Sequence, residues 1–141
     1  MKNKILHKIM IFAAVMGLLI SSYLTYSHYS HNSVVCVLGE KSACNDVLNS
    51  RYSSLILGLP NSLLGSLLFI ALIILGHIGI KNAKFNEITF YLSIIATLSV
   101  LLLIYMTFFL IRSFCIWCFA TWILVIIILI CSILINVKES K

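Results

Sequence analysis

Residues 113–137 read SFCIWCFATWILVIIILICSILINV, and no Asp, Glu, Lys or Arg interrupts them. A helix rises about 1.5 Å per residue, so this stretch is long enough to cross a hydrocarbon core of about 30 Å. Isolated strands would leave their amides unsatisfied in lipid, which leaves the helix as the spanning form. Further charge-free stretches occupy residues 9–29, 52–80 and 88–111. We therefore predict four transmembrane helices, at about 9–29, 61–80, 88–111 and 115–137.

The composition agrees with a chain that lies mostly in lipid. Of 141 residues, 62% are hydrophobic, and only 10 basic and 4 acidic residues are present. A soluble domain of this size would carry more charge on its surface. We predict one all-α membrane domain over residues 1–141, a four-helix bundle. The polar loop at 30–60 is expected to cap the bundle, with its apolar half, 53–60, lying on the membrane surface as a short helix.

The basic residues predict the orientation of the bundle. Seven lysines fall on one side of the predicted spans and three basic residues on the other, and loops rich in Lys and Arg remain in the cytoplasm. Both termini are then cytoplasmic, and the loop at 30–60 shares the outer face with the short turn at Arg112. The net charge of +6 is explained by this topology and requires no nucleic-acid partner.

Four cysteines supply the obvious reactive groups on the predicted outer face. Cys36 and Cys44 lie in the polar loop, and Cys115 and Cys118 form a Cys-x-x-Cys at the start of the last span. Cysteines three apart share one face of a helix, and the amides and dipole of a helix N-terminus stabilise a thiolate. Arg112 adds a positive charge nearby. Two cysteine pairs on one side predict a thiol–disulfide relay between an aqueous pair and a membrane-embedded pair.

Other interpretations of the cysteines remain open at this stage. Cys36 and Cys44 can form a static structural disulfide in the oxidising outer compartment. Four thiolates are also a zinc ligand set, to which His28 and His31 can add. The spacing and the membrane context are unusual for structural zinc, so no metal is expected. Cys131 lies about 20 Å deeper along the last helix than Cys118 and is expected to pack in the core.

Four short motifs, in this order, resemble those of the vitamin K epoxide reductase family, including its bacterial disulfide-forming, DsbB-like members. They are CVLGEKSAC at 36–44, NDVLNSRY at 45–52, LPNSLLG at 59–65 and CIWC at 115–118. Together with the helix count, they cover nearly the whole chain. The resemblance implies a four-helix bundle around a quinone, capped by the outer loop.

The resemblance also implies a role for each cysteine of the relay. Electrons enter at the loop pair, pass to the helix pair and leave on the quinone. Cys36 would exchange with the dithiol of a partner protein, Cys44 would relay to Cys115, and Cys118 would face the quinone ring. The activity implied is that of a quinone-dependent thiol oxidoreductase, an enzyme whose acceptor is ubiquinone or menaquinone.

Three further residues match functional positions of the family. Ser50 matches a polar loop position that supports the relay. Asn61 matches an amide that hydrogen-bonds a quinone carbonyl, where it would stabilise the charge that develops on the oxygen. Trp122 stands where animal members carry a Tyr that binds the quinone. An indole N–H has a different geometry from a phenol, so epoxide reduction is less expected than quinone binding.

These matches predict a bacterial inner-membrane enzyme with its site on the periplasmic side. The chain carries no thioredoxin-like domain of its own, so the expected thiol partner is a separate DsbA-like or other thioredoxin-fold protein. Three alternatives make different predictions. A quinone or vitamin K epoxide reductase would use the same relay, but its physiological product would be the reduced quinone. A metal-binding or transport protein would use the cysteines as metal ligands, so its thiolates would stay fixed. A structural subunit would keep its function when Cys115 or Cys118 is replaced.

Overall fold

Four long helices dominate the computed structural model, which describes residues 2–30, 43–54 and 58–139. The prediction of an all-α bundle with four membrane-capable helices is confirmed. The shortest of them has 19 residues and is about 28 Å long, just enough for the hydrocarbon core. The four are α1 (Lys2–Ser30), α3 (Asn61–Gly79), α4 (Lys84–Tyr105) and α5 (Ile116–Glu139).

The helices extend beyond the apolar stretches mainly at their charged ends. α1 begins at Lys2 and α4 at Lys84, each several residues before the predicted span, because a helix continues into the interface where water accepts its charged side chains. At its other end α4 passes into a π-helical segment, Met106–Ile111, before Arg112 adopts a left-handed conformation with φ 56°. This turn reverses the chain into α5.

The four long helices pack in a closed ring. α1 contacts α3 and α5, and α4 contacts the same two helices from the opposite side. α3 and α5 therefore face each other across a diagonal of the bundle. Gly17 of α1 allows one of the closest approaches, because a Cβ there would collide with the ring of Phe69 on α3. The small residue thus lets an aromatic side chain pack directly on the α1 backbone.

A buried polar cluster joins the helices at the end that carries the lysines. Asn86 Nδ2 donates to the Gly79 carbonyl at 3.3 Å, which orients the Asn86 amide oxygen towards His7. His7 Nε2 lies 3.1 Å from that oxygen and so carries the proton that it donates. Asn136 Nδ2 donates to the Asn86 carbonyl at 3.1 Å. One asparagine therefore connects α1, α4, α5 and the end of α3, and His7 is buried within this cluster.

The opposite end of the bundle is capped by a short helix, α2 (Ala43–Asn49). Cys44, Val47 and Leu48 are its buried residues, at the i, i+3 and i+4 spacing of one helix face. They pack with Leu24 of α1 and with Cys115. The short helix thus lies at 43–49, before the apolar stretch at 53–60 for which it was predicted. Of that stretch, the described residues form the end of a 3₁₀ turn (Arg51–Ser53) and the non-helical lead-in to α3, and residues 55–57 lie outside the described residues.

We expect Asn86→Ala to lower the free energy of unfolding by about 1–3 kcal/mol. The change leaves the Gly79 carbonyl and the His7 N–H without their partner in a buried site, although single hydrogen bonds between membrane helices contribute only about 0.6 kcal/mol on average. Unfolding in mixed micelles measures the loss. Asn82→Ala removes an exposed amide from the same hairpin and is expected to change little. Equal effects of the two changes would contradict the role given to Asn86.

Candidate functional site

A cavity of about 430 Å³ lies beneath α2, at the end of the bundle that α2 caps. This volume falls within the range of small-molecule sites, about 300–1,000 Å³. All four long helices and α2 contribute to its wall, which is mainly apolar with a few polar side chains. Cys118, Trp122 and Asn61 are among the lining residues, so three residues predicted from the sequence to contact a quinone share one cavity.

Cys115 is placed by the first turn of α5. It precedes the helix, and its carbonyl accepts the Phe119 N–H at 3.0 Å, as the residue that caps a helix does. Its thiol accepts hydrogen bonds from the amides of Trp117 and Cys118, which would otherwise lack helical partners. The Cys118 thiol also hydrogen-bonds the Cys115 sulfur. The Cys-x-x-Cys spacing thus brings both sulfurs together at the helix N-terminus, as the sequence predicted.

These contacts change the acidity of Cys115, which lies just outside the membrane-capable segment Ile116–Lys138. The hydrogen bond from the Cys118 thiol, aided by the amides of Cys118 and Trp117, lowers the pKa of Cys115 from 9.0 to about 7, although burial acts in the opposite direction. A lowered pKa gives Cys115 a larger thiolate fraction near neutral pH than an ordinary cysteine has. Arg112 is exposed, where solvent screens its charge.

Cys44 and Cys115 belong to the same buried cluster. Each is 1% exposed, and they pack with Leu24, Val47 and Leu48. Cys44 is disulfide-bonded, whereas Cys115 and Cys118 carry free thiols. Cys36 lies outside the described residues. The structure therefore brings the inner cysteine of the loop to the helix pair, while the predicted entry point at Cys36 stays a prediction.

Cys118 connects this cluster with the cavity. It packs against the buried cluster of Cys44 and Cys115, and also against the core cluster that contains Phe69 and Trp122. It lines the cavity as well, which Cys115 does not. Of the two thiols of the Cys-x-x-Cys, Cys118 is therefore the one that can meet a molecule bound in the cavity.

Trp122 lies one turn beyond Cys118 and forms part of the same wall. It is 5% exposed, and its ring is flanked by Phe108 at 6.5 Å and, edge-on, by Phe119 at 6.1 Å between ring centroids. Such packing holds the indole in place. The Trp122 side chain therefore forms the part of the cavity wall next to the Cys118 sulfur.

Ser50 and Asn61 form hydrogen bonds that hold the cap, which consists of α2 and the 3₁₀ turn at Arg51–Ser53. Ser50 Oγ donates to the Val47 carbonyl at 2.9 Å, which closes the end of α2, and Ser50 is not among the cavity-lining residues. Asn61 Nδ2 donates to the Tyr52 carbonyl at 2.9 Å and so ties the 3₁₀ turn to the start of α3. Ser50 thus acts on α2 and Cys44, whereas Asn61 lies both in the cap and in the cavity wall.

His28 is a cavity residue whose place the sequence did not predict. Its Nδ1 lies 3.0 Å from the Leu48 carbonyl, so this nitrogen donates and joins α1 to α2. Its partner is 20 residues away in sequence, and only tertiary packing brings the two together. His31, with which His28 was paired as a possible metal site, lies outside the described residues. Within the described ranges, no three His, Cys, Asp or Glu side chains are grouped so as to hold a metal.

Cys131 lies among the buried residues of the bundle core, apart from the other cysteines. It carries a free thiol and is 6% exposed. It is absent from the cavity wall and from the cluster of Cys44 and Cys115. Its position is that of a small core residue, which makes it a useful control cysteine.

We expect the thiolate absorbance of Cys115 to titrate near pH 7, rising as the pH increases through that value. Cys118→Ala removes the thiol that donates to Cys115, so the titration should move to higher pH, towards 9.0. Difference titrations against Cys115→Ser isolate this signal, and Cys131→Ala should leave it unchanged. A Cys115 titration that stays near pH 7 in Cys118→Ala would show that the Cys118 thiol is not its main cause.

Residues 8–133 match a protein-family model described as the Vitamin K epoxide reductase family. The matched range contains the four cysteines of the predicted relay, the cap and the whole cavity wall. No protein with a curated description matches the chain significantly.

Proposed function

The chain belongs to the vitamin K epoxide reductase family, and on that premise we propose that it reoxidises a thioredoxin-fold partner and passes the electrons to a membrane quinone. Family membership implies a quinone-linked thiol oxidoreductase or epoxide reductase, in a multi-pass membrane protein. The partner, the direction and the residue roles are the proposal. Disulfide formation outside the cytoplasm would be the outcome.

The position of Cys118 carries the proposal. It touches the buried cluster of Cys44 and Cys115 on one side and the cavity on the other. A two-electron carrier in the cavity would thus meet the thiol that is hydrogen-bonded to Cys115. A purely structural use of the cysteines accounts neither for the free thiols of Cys115 and Cys118 nor for the cavity beside Cys118.

The proposed relay begins with a disulfide between Cys36 and Cys44, as the resemblance to the family implies. This disulfide would accept two electrons from the partner's dithiol, which becomes a disulfide. The Cys44 thiolate then attacks the Cys115–Cys118 disulfide at Cys115 and releases the Cys118 thiolate. Attack by Cys36 on Cys44 restores the loop disulfide and leaves Cys115 and Cys118 reduced.

A quinone held in the cavity beside Cys118, Trp122 and Asn61 would supply the two-electron acceptor chemistry, with two protons taken up on its reduction. Cys118 is the thiol at the cavity and Cys115 the thiol whose lowered pKa favours the thiolate, so the pair can close into a disulfide as the electrons leave. Trp122 and the apolar wall exclude water from the sulfurs. Either ubiquinone or menaquinone suits a wall of this kind.

The site is proposed to face the periplasm of a bacterial inner membrane. Lys4, Lys8, Lys81, Lys84 and Lys138 lie at the helix ends joined by the Asn86 cluster, and the positive-inside rule assigns that end to the cytoplasm. α2 and Cys44 then cap the outer end, where a soluble dithiol protein can reach the loop. Electrons from the soluble dithiol partner would pass through the cysteines of this cap to the membrane quinone.

Quinone reduction by the purified protein, with a reduced DsbA-like protein as donor, tests the proposal. We expect turnover in the wild type and a loss of at least about a thousandfold in Cys118→Ser and Cys36→Ser, because a serine hydroxyl replaces the attacking thiolate at each end of the relay. Cys131→Ser makes the same change in the core and should retain turnover. Vitamin K epoxide, offered as the alternative acceptor, distinguishes the epoxide reductase.

Two results would contradict the assignment. Turnover that survives Cys118→Ser would remove that thiol from the quinone end of the relay. Wild-type protein that reduces vitamin K epoxide but oxidises no thioredoxin-fold dithiol would instead show that the physiological product is the reduced vitamin K and not the partner's disulfide.

A further inference from the structure

The cavity wall contains very few groups that can carry a proton. Among the described residues that line it there is no Asp, Glu, Lys or Arg, and the ionisable side chains are His28, Tyr52 and Cys118. A phenol keeps its proton at neutral pH, whereas an imidazole takes up and releases a proton there. Cys118 is already used by the disulfide chemistry. His28 is therefore the group of the described wall that can exchange protons without changing its oxidation state.

The hydrogen bond between His28 and the cap decides which ring nitrogen exchanges the proton. Nδ1 lies 3.0 Å from the Leu48 carbonyl oxygen, which only accepts, so Nδ1 is protonated in the neutral ring as well as in the charged one. The exchanging nitrogen is then Nε2, which has no hydrogen-bond partner among the described residues. It is also not one of the buried atoms that lack a partner, so its surface remains accessible.

His28 lies close to water as well as in the cavity wall. It belongs to the last turn of α1, at the end of the membrane-capable segment, and it is half-buried. Its ring meets that of Tyr29 edge-on, at 5.7 Å between centroids. The charged side chains described at this end of the bundle are Asp46, Arg51 and Arg112, and all three are exposed, where water screens their charges. A proton taken from water can thus reach the wall through this one imidazole.

The proposed quinone step needs one proton more than the thiols supply. Reduction of a quinone consumes two electrons and two protons, and the electrons come from the sulfurs of Cys115 and Cys118 as they form one S–S bond. The lowered pKa of Cys115 favours its thiolate, which brings no proton. The Cys118 thiol brings one. The second proton must then come from another group at the cavity.

We propose that the imidazolium of His28 donates the Nε2 proton to a ring oxygen of the bound quinone as the disulfide between Cys115 and Cys118 closes. This inference rests on the proposed function and adds a catalytic acid to it. The Nε2–H bond breaks and an O–H bond forms, while the other quinol proton comes from the Cys118 thiol. The charges of the imidazolium and of the Cys115 thiolate cancel in this step. His28 then recovers its proton from water.

The change His28→Asn separates this role from a structural one. The asparagine amide can donate to the Leu48 carbonyl in place of Nδ1–H, so the cap should keep its position, but an amide is not an acid at neutral pH. We expect closure of the Cys115–Cys118 disulfide, after reduced protein is mixed with short-chain menaquinone, to slow about a hundredfold, as for the loss of a general acid. Exchange between a DsbA-like protein and the loop cysteines, without quinone, should keep its rate.

His77→Asn is the matched control. His77 is exposed on α3 and is absent from the cavity wall, so the same change there should alter neither rate. Imidazole added to the buffer should restore part of the closure rate in His28→Ala, because the shortened side chain leaves room for a free proton carrier beside the cavity. A residue that only held the cap would show no such rescue.

Nitrogen NMR of the histidine rings gives a readout that does not depend on turnover. Cys118→Ser protein cannot complete the relay, so menaquinone stays unreduced in it. We expect its binding to move the Nε2 resonance of His28 towards the value of a protonated nitrogen, because Nε2 must carry a proton to donate to a carbonyl oxygen. The Nδ1 resonance should stay in place, and so should those of His77. The signal that is absent in His28→Asn identifies His28.

The possible outcomes separate this inference from the proposed function. Disulfide closure at the wild-type rate in His28→Asn would overturn the role of His28 and leave the relay intact. An Nε2 resonance that does not respond to bound menaquinone would also overturn it, and so would an equal loss of thiol exchange in His28→Asn, since His28 would then act on the cap. Wild-type protein that binds neither menaquinone nor ubiquinone would overturn the inference together with the proposed function.

Discussion

The hydrocarbon core of a membrane contains no water, so every amide within it must be satisfied by the chain itself. The long helices meet this requirement along their length and fail to meet it only at their ends. The chemistry of the molecule is found at those ends. At one end these groups are joined through Asn86, and at the other they lie around the cavity and the free thiols of Cys115 and Cys118.

The up-and-down order of the helices decides which kind of end meets the cavity. α3 and α5 begin at the end of the bundle that α2 caps, whereas α1 and α4 end there, so both helix N-termini lie at the same end. At α5 the amides of the first turn bind the Cys115 sulfur and favour its thiolate. The first turn of α3 contributes Asn61 to the cavity wall. The positive ends of both helix dipoles favour electron-rich groups beside an otherwise apolar wall.

The cap connects the aqueous and the membrane parts of this site. α2 has a single apolar face, which is too small to hold the helix in place alone, and side-chain contacts to main-chain carbonyls supplement it. His28 holds Leu48 from α1, and Asn61 holds Tyr52 from α3. Cys44 is thereby placed next to Cys115 on an element that is separate from the bundle. Such an element can exchange partners without unfolding the transmembrane core.

The sequence by itself determined the number of membrane-capable helices and the all-α class, because the length of a charge-free stretch is a local property and needs no knowledge of packing. It also indicated the pair Cys115 and Cys118, since these residues lie within a single helical turn. Only the tertiary structure decided that His7 is buried against Asn86 and that His28 binds α2. These contacts depend on how the helices are rotated and aligned along one another, which short-range patterns do not specify. For the same reason, only the tertiary structure showed a short helix at 43–49, where Cys44 packs with Cys115.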